Sequence, residues 1–340
     1  MTEHTFLYED DFLLESGEVL PGFQLQYTTS GQANEASDNV VWVCHALTAN
    51  ADVFDWWEGL FGVDQLYNPA DHFIVCANML GSCYGSTGPL STDPRTDAPF
   101  YHDFPLLTNR DIVRAFDLLR RHLGIDHIHT LIGGSMGGQQ ALEWTIMQPG
   151  LAKHLIQLAS NAQHSPWGIA FNESQRMAIQ CDASWSNRND QAGLDGLRVA
   201  RSIALLSYRH YHTYAHTQHE AVSDKLDAFR ASSYQNYQGE KLARRFNAFS
   251  YWTLSKAMDS HHVGRQRGKI AEVLGSITTR CLFIGIDTDV LFPCSEQEWL
   301  AQLIPEAQLS IINSDYGHDG FLVETAALAL SIKSFYAGFS

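Results

Sequence analysis

The chain has 340 residues, 45% of them hydrophobic, enough to bury a large core in one domain or a domain with an insertion, and this excludes a disordered chain. Its 22 Lys and Arg face 38 Asp and Glu, a formal charge of -16. Neither nucleic acid nor an anionic membrane surface is therefore a general partner, and any anionic ligand needs a local basic pocket.

The acidic start, "MTEHTFLYEDDFLLESG", lacks the basic and then apolar regions of a signal peptide, and no apolar run reaches the about 18 residues that cross a bilayer. Six cysteines (Cys44, Cys76, Cys83, Cys181, Cys281, Cys294) are scattered without a C-x-x-C pair, several inside apolar runs where a small core hydrophobe is the ordinary role. A cytoplasmic location is expected.

Residues 13–28 alternate around a Gly and a Pro-Gly, which predicts an antiparallel lead-in hairpin. Six short, nearly continuous apolar runs follow at 40–46, 72–80, 127–135, 153–160, 280–287 and 308–314. Strands buried on both faces read this way, as in a parallel sheet covered by helices. Between them, "LTNRDIVRAFDLLRRHLG" has a helical period, a cap at Thr108 or Asn109 and a stop at Gly124. The alternation predicts a doubly wound α/β sheet. It lapses from 166 to 275, where helical periods rich in Tyr, His, Gln and Arg replace strands. The expected organisation is a core in two parts, 1–165 and 276–340, with a helical lid inserted at 166–275.

"HIHTLIGGSMGGQQALEW" places one serine among four glycines. Gly133, Ser135 and Gly137 form G-x-S-x-G directly after a predicted strand and before a predicted helix, the context of a nucleophile elbow. At so sharp a turn the flanking positions have no room for side chains, and the helix N-terminus favours developing negative charge. The P-loop and dinucleotide patterns are absent.

A serine hydroxyl is a weak nucleophile, so a base and an orienting acid are required, in the chain order Ser, Asp or Glu, His. "IGIDTDVLFP" offers Asp287 and Asp289, either of which could accept from an imidazole. "SDYGHDGFL" offers His318 after the last strand. For the oxyanion hole the Met136 N–H is one donor, and the Leu47 N–H in "CHALTAN" is the second candidate, with His45 supporting that loop.

Taken together, "HALTAN", "CANMLGSCYGSTGPLS", "GGSMGGQQALEW", "GLRVARSIALLSY", "DTDVLFP" and "GHDGF" resemble homoserine O-acetyltransferases, acyl-CoA-dependent enzymes of methionine biosynthesis with an α/β-hydrolase fold. The resemblance runs from about residue 6 to the C-terminus. It implies Ser135 as the acyl-accepting nucleophile, Asp289 as the triad acid and His318 as the base. It further implies Arg201 and Tyr208 near the homoserine carboxylate, Asp319 near its amino group, acetyl-CoA as co-substrate with no metal or other cofactor, and a homodimer formed through the helical insertion. An Arg suits a carboxylate because its planar fork binds it bidentately, and seven residues separate Arg201 from Tyr208 on one helical face. Gln139 stands where Met is frequent in that family and is expected to line the acyl pocket, which bears on acetyl against succinyl preference.

Two other clusters invite a role. His210, His212, His216 and His219 have partly helical spacing but no completing carboxylate or cysteine, so an exposed helix is expected and not a metal site. Arg244, Arg245, Arg265, Arg267 and Lys269 form the only basic clusters, with CoA phosphates or solvent as alternative partners. A homoserine or serine O-succinyltransferase is the alternative within the transferase reading, and a serine esterase or thioesterase is the rival enzyme, because water can replace the acceptor alcohol. A binding protein on a hydrolase scaffold is the non-enzymatic rival.

Overall fold

The computed structural model describes residues 1–338. Eight strands form one sheet: β1 (Thr2–Leu13), β2 (Val19–Ser30), β3 (Val40–Cys44), β4 (Phe73–Ala77), β5 (Ile128–Gly134), β6 (Ala152–Leu158), β7 (Arg280–Ile286) and β8 (Ala307–Ile312). Their spatial order is β1-β2-β4-β3-β5-β6-β7-β8. The β1–β2 and β2–β4 pairs are antiparallel and every later pair is parallel. This is an α/β-hydrolase fold. The lead-in hairpin starts earlier than its alternation predicts. The exposed, charge-rich first strand hides its pattern, because a bulge between Tyr8 and Asp11 breaks the period of two.

The continuous apolar runs are explained by two cores, one on each face. In β3, Val40, Trp42 and Cys44 point to one core, while Val41 and Val43 point to the other. All five are completely buried, and burying an aliphatic side chain of this size contributes about 1.5–3 kcal/mol. Helix α1 (Asn109–His122) closes one flank, and Thr108 caps it in a reciprocal capping box with Asp111. Helix α2 (Met136–Met147) follows β5 directly and is buried over nearly its whole length.

Between β6 and β7, among the described residues, the chain forms six helices: α3 (Pro166–Gln180), α4 (Leu194–Tyr208), α5 (Tyr211–Thr217), α6 (Arg230–Ala243), α7 (Ala248–Asp259) and α8 (Ile270–Gly275). Helix α4 packs on α3 and α6 and also touches the turn Gly317–Asp319. Helices α9 (Cys294–Leu303) and α10 (Thr325–Ala337) complete the second core segment. No helix among the described residues is long and apolar enough to cross a membrane.

Candidate active site

Ser135 sits between the end of β5 and the first residue of α2 with φ 56° and ψ -125°, a left-handed conformation that a non-glycine residue seldom adopts. The neighbouring glycines show why the turn is possible. A Cβ at Gly137 would lie 2.0 Å from the Cys44 carbonyl oxygen, and one at Gly133 would lie 2.4 Å from the Gly137 backbone. At Gly134 a Cβ would enter the Phe321 ring at 2.4 Å, and at Gly138 it would meet the Ser160 Cβ at 2.7 Å. Strand, elbow and helix therefore pack backbone to backbone, as the sequence suggests.

Asp289 and His318 meet across two loops. His318 Nδ1 donates to Asp289 Oδ2 at 2.7 Å. The other carboxylate oxygen, Oδ1, accepts the N–H groups of Leu291 and Phe292 at 2.8 and 2.9 Å. Asp289 is only 5% exposed and His318 only 3%. Asp287 is exposed, and its carboxylate accepts the Ser314 N–H at 2.9 Å, holding the two loops together. Thr288 adds a second stitch, donating to the Ser314 carbonyl at 2.6 Å and accepting the Gly317 N–H at 3.1 Å. The orienting contact is therefore available to Asp289 and not to Asp287.

The His318 ring is held by aromatic neighbours. Phe292 stacks on it at 5.2 Å, Phe321 meets it edge-on at 5.2 Å, and Tyr208 lies against it at 5.7 Å. Phe321 is also the ring that touches Gly134, so one side chain bridges the elbow and the histidine.

Leu47 and Met136 are buried. Among the described residues neither backbone N–H is paired with a protein acceptor, which leaves two amide donors beside the elbow. The Leu47 loop is braced by His45. Its Nδ1 donates to the Ala46 carbonyl at 2.9 Å, and its Nε2 accepts the Met79 N–H at 3.3 Å. Burial lowers this imidazole to about 4, so it stays neutral in that role. The Asn78 amide, in the "CANML" stretch before "GSTGP", accepts from Ala51 N–H at 2.8 Å and donates to the Tyr84 carbonyl at 2.7 Å. That loop is thus tied to the segment that follows Leu47.

Arg201 and Tyr208 lie on one face of α4, with the guanidinium carbon 5.3 Å from the centre of the tyrosine ring. Burial raises the Tyr208 phenol, and the Arg201 charge opposes that rise. Asp319 follows His318, but its carboxylate already has a partner that the sequence does not reveal. Arg209 Nε lies 3.0 Å from Asp319 Oδ2. Arg209 is the residue after Tyr208, while its partner is more than a hundred positions away, so no spacing signals the pair. The backbone of 208–210 also abuts the histidine loop, since a Cβ at Gly317 would lie 3.0 Å from the Arg209 carbonyl carbon.

The Gln139 expectation needs correction, and the open alternatives for the basic clusters are replaced by ion pairs. Gln139 is completely buried and does not line an acyl pocket. Its amide nitrogen donates to Asn161 Oδ1 at 3.0 Å, and its oxygen accepts from Asn109 at 3.1 Å. A polar side chain at that depth is retained by such pairing. Arg265 and Arg267 are likewise committed, to Glu15 at 2.7 Å and to Glu143 at 2.5 Å, and do not offer free charge to a phosphate. Arg244 and Lys269 pair with Glu240 and Glu272 on their own helices. Arg245 is exposed and donates to the Thr48 carbonyl at 2.6 Å, next to Leu47.

Among the described residues no group of three or more His, Cys, Asp or Glu side chains is placed to hold a metal; the His210 and His212 rings pack together at 4.9 Å. A cleft of about 370 Å³ lined by Tyr101, His102, Trp185, Phe249, Trp252 and Lys256 contains none of the residues above.

The sequence matches a profile of the alpha/beta hydrolase fold over residues 39–325. A homoserine O-acetyltransferase of Cyclobacterium marinum is 51% identical over 99% of this chain and 95% of its own. The crystal structure of a homoserine O-acetyltransferase from Staphylococcus aureus is 31% identical, with a TM-score of 0.81 over 100% of this chain and 95% of the other. Esterase E22 superposes with a TM-score of 0.90 over 98% and 99% of the two chains, but at 22% identity this likeness shows the fold alone. Identity at that level across nearly the whole length of a relative places the chain in the homoserine O-acetyltransferase family of α/β-hydrolase-fold proteins.

Proposed function

We propose that the protein transfers an acetyl group from acetyl-CoA to the hydroxyl of L-homoserine through an acyl-Ser135 intermediate. The observation that carries the reading is the buried Asp289–His318 hydrogen bond lying under Tyr208 and its Arg201 partner. A hydrolytic triad needs the first feature only. An amino-acid acceptor needs the second as well.

In the first half-reaction His318 takes the Ser135 proton, and Oγ attacks the thioester carbonyl. The Leu47 and Met136 N–H groups hold the oxyanion. The C–S bond then breaks and CoA leaves as the thiol, carrying that proton. In the second half, homoserine gives its hydroxyl proton to His318 and attacks the acyl-serine. The proton returns to Ser135 as O-acetylhomoserine forms. Asp289 holds the imidazole with Nε2 free for both transfers. Arg201 and Tyr208 receive the homoserine carboxylate, and Asp319, kept in place by Arg209, receives its ammonium. The scheme uses no metal or redox cofactor.

Residues 166–275 act as the lid in this reading, excluding water so that the alcohol and not hydroxide resolves the acyl-enzyme. The same helices carry the dimer contact. Val199, Leu206, Tyr211 and Tyr237 on these helices, and Val222 and Leu226 in the loop between α5 and α6, are exposed and offer apolar side chains to it. This reading keeps the cytoplasmic location expected from the sequence.

The test is thiol release from acetyl-CoA and, separately, succinyl-CoA, with and without L-homoserine, with Ser135→Ala as the blank. Homoserine-dependent release from acetyl-CoA is expected. Release that ignores homoserine would overturn the reading in favour of a hydrolase, and a preference for succinyl-CoA would overturn the acyl group assigned.

A further inference from the structure

Two adjacent strands end in strained residues at the C-terminal edge of the sheet. Ser135 after β5 has φ 56°, and Ala159 after β6 has φ 45°; neither is glycine. Such strain persists only where the surroundings impose it. The first makes the elbow. The second has no role in the chemistry described so far.

What Ala159 does is turn the chain so that Ser160 faces back toward β5. Ser160 is completely buried, and its hydroxyl donates to the Ser135 carbonyl at 2.7 Å. Its own carbonyl accepts from Gln297 Nε2 at 2.6 Å. Gln297, also buried, lies on α9, the helix that follows the Asp289 loop. The Ala159 N–H donates to the Ile284 carbonyl of β7 at 2.8 Å, and the Ser135 N–H to the Leu158 carbonyl of β6 at 2.9 Å. Gly138 provides the space, since a Cβ there would press on the Ser160 side chain.

We propose that Ser160 is a positioning residue for the nucleophile and the oxyanion hole together, a proposal that rests on Ser135 being the nucleophile. The carbonyl of Ser135 and the N–H of Met136 belong to one planar peptide unit, so a hydrogen bond that fixes the first also aims the second. A donor on that carbonyl further polarises the amide, strengthening the N–H as a donor to the oxyanion. Gln297 ties the same residue to the helix behind the triad acid, so the acid loop and the elbow share one brace.

The experiment compares Ser160→Ala with the wild type in steady-state acetyl transfer and in the rate at which a fluorophosphonate labels Ser135. Misaiming one oxyanion donor is expected to cost less than deleting it, which lowers kcat about 10²- to 10³-fold. A fall in kcat on the order of 10-fold is expected, with KM for homoserine within about twofold of the wild type and labelling slowed in parallel. Ser160→Cys, which keeps a weak donor, is expected to recover part of the rate. A kcat or a labelling rate within about twofold of wild type in Ser160→Ala, or a loss confined to KM, overturns the proposal. If Ser160→Ala does not accumulate as folded protein, Gln297→Met, of similar length and lacking the brace, carries the same readouts and the same criteria. Failure of the wild type to label at Ser135 overturns the nucleophile reading itself. Normal wild-type labelling with an unaffected variant overturns only the role of Ser160.

Discussion

Tyr208, the last residue of α4, lays its ring 5.7 Å from that of His318, although 110 positions separate them in the chain. The same helix carries Arg201, whose guanidinium carbon lies 5.3 Å from the centre of that tyrosine ring, so α4 packs against the His318 ring through Tyr208. In the proposed reaction this contact joins acceptor binding to proton transfer.

The two aspartates after β7 are expected to separate cleanly. Asp289→Asn keeps the shape but presents the wrong tautomer to His318, and thiol release should fall by about 10⁴ in kcat. Asp287→Asn keeps an oxygen that accepts the Ser314 N–H, removes only the charge, and should leave kcat within a few-fold. Equal losses in the two variants would be inconsistent with the contact observed between His318 and Asp289.

Replacing Arg201 by Met keeps an apolar stem against Tyr208 and removes the charge. KM for homoserine is expected to rise on the order of 10- to 100-fold, the equivalent of one charged hydrogen bond, with a smaller effect on half-reaction thiol release from acetyl-CoA. Arg209→Met leaves Asp319 without its cation and should also raise that KM. Initial-rate measurements against homoserine at saturating acetyl-CoA decide both.

Acid should weaken the fold well before the carboxylates titrate. Burial lowers His45, His129, His154 and His164 to about 4 and His261 to about 3. In the unfolded chain a histidine titrates near 6.5, so between about 6.5 and 4 the unfolded state binds more protons than the folded one. The stabilisation is complete above about 6.5 and is lost as the pH falls towards 4. Asp111, Asp259 and Glu296, raised by burial, act in the opposite sense at the acid end. Urea midpoints at pH 7, 6 and 5 should decline steadily, and less steeply in His154→Gln; a midpoint independent of pH would contradict the buried neutral histidines.

Two glycine substitutions distinguish crowding from backbone strain. Gly137→Ala would drive a Cβ into the Cys44 carbonyl, a backbone atom of a central strand that cannot withdraw, and the variant is expected not to accumulate as folded protein. Gly150→Ala has open space around it but φ 82°, so only the left-handed penalty of about 1–2 kcal/mol applies. Thermal melts and soluble yield of the two variants test the contrast.

Glu143 on α2 holds two guanidinium groups, Arg110 at 2.8 Å and Arg267 at 2.5 Å, and is itself almost fully buried. Glu143→Ala leaves both cations without that carboxylate, and a loss of about 3–5 kcal/mol in unfolding free energy is expected. Denaturant unfolding of the variant measures it. A change under about 1 kcal/mol would mean that Glu15 alone compensates Arg110.

The sequence alone determined the six strands from β3 to β8 and the glycine-flanked turn at Ser135, while β1 escaped it behind a bulge, and the reason is local. Strands buried on both faces read as unbroken apolar runs within five to seven residues, and the turn has its glycines within three positions of Ser135. Tertiary structure alone decided which contacts those residues make. Asp287 and Asp289 are two apart and chemically the same, and only the arrival of the 313–318 loop gives one of them the imidazole. Gln139, Arg265 and Arg267 look available in a linear reading, yet each is taken by a group brought from a distant element. Arg209 and Ser160 carry no periodic or motif signal at all, because Asp319 and Ser135, the groups they hold, lie 110 and 25 residues away and meet them only once the sheet is assembled.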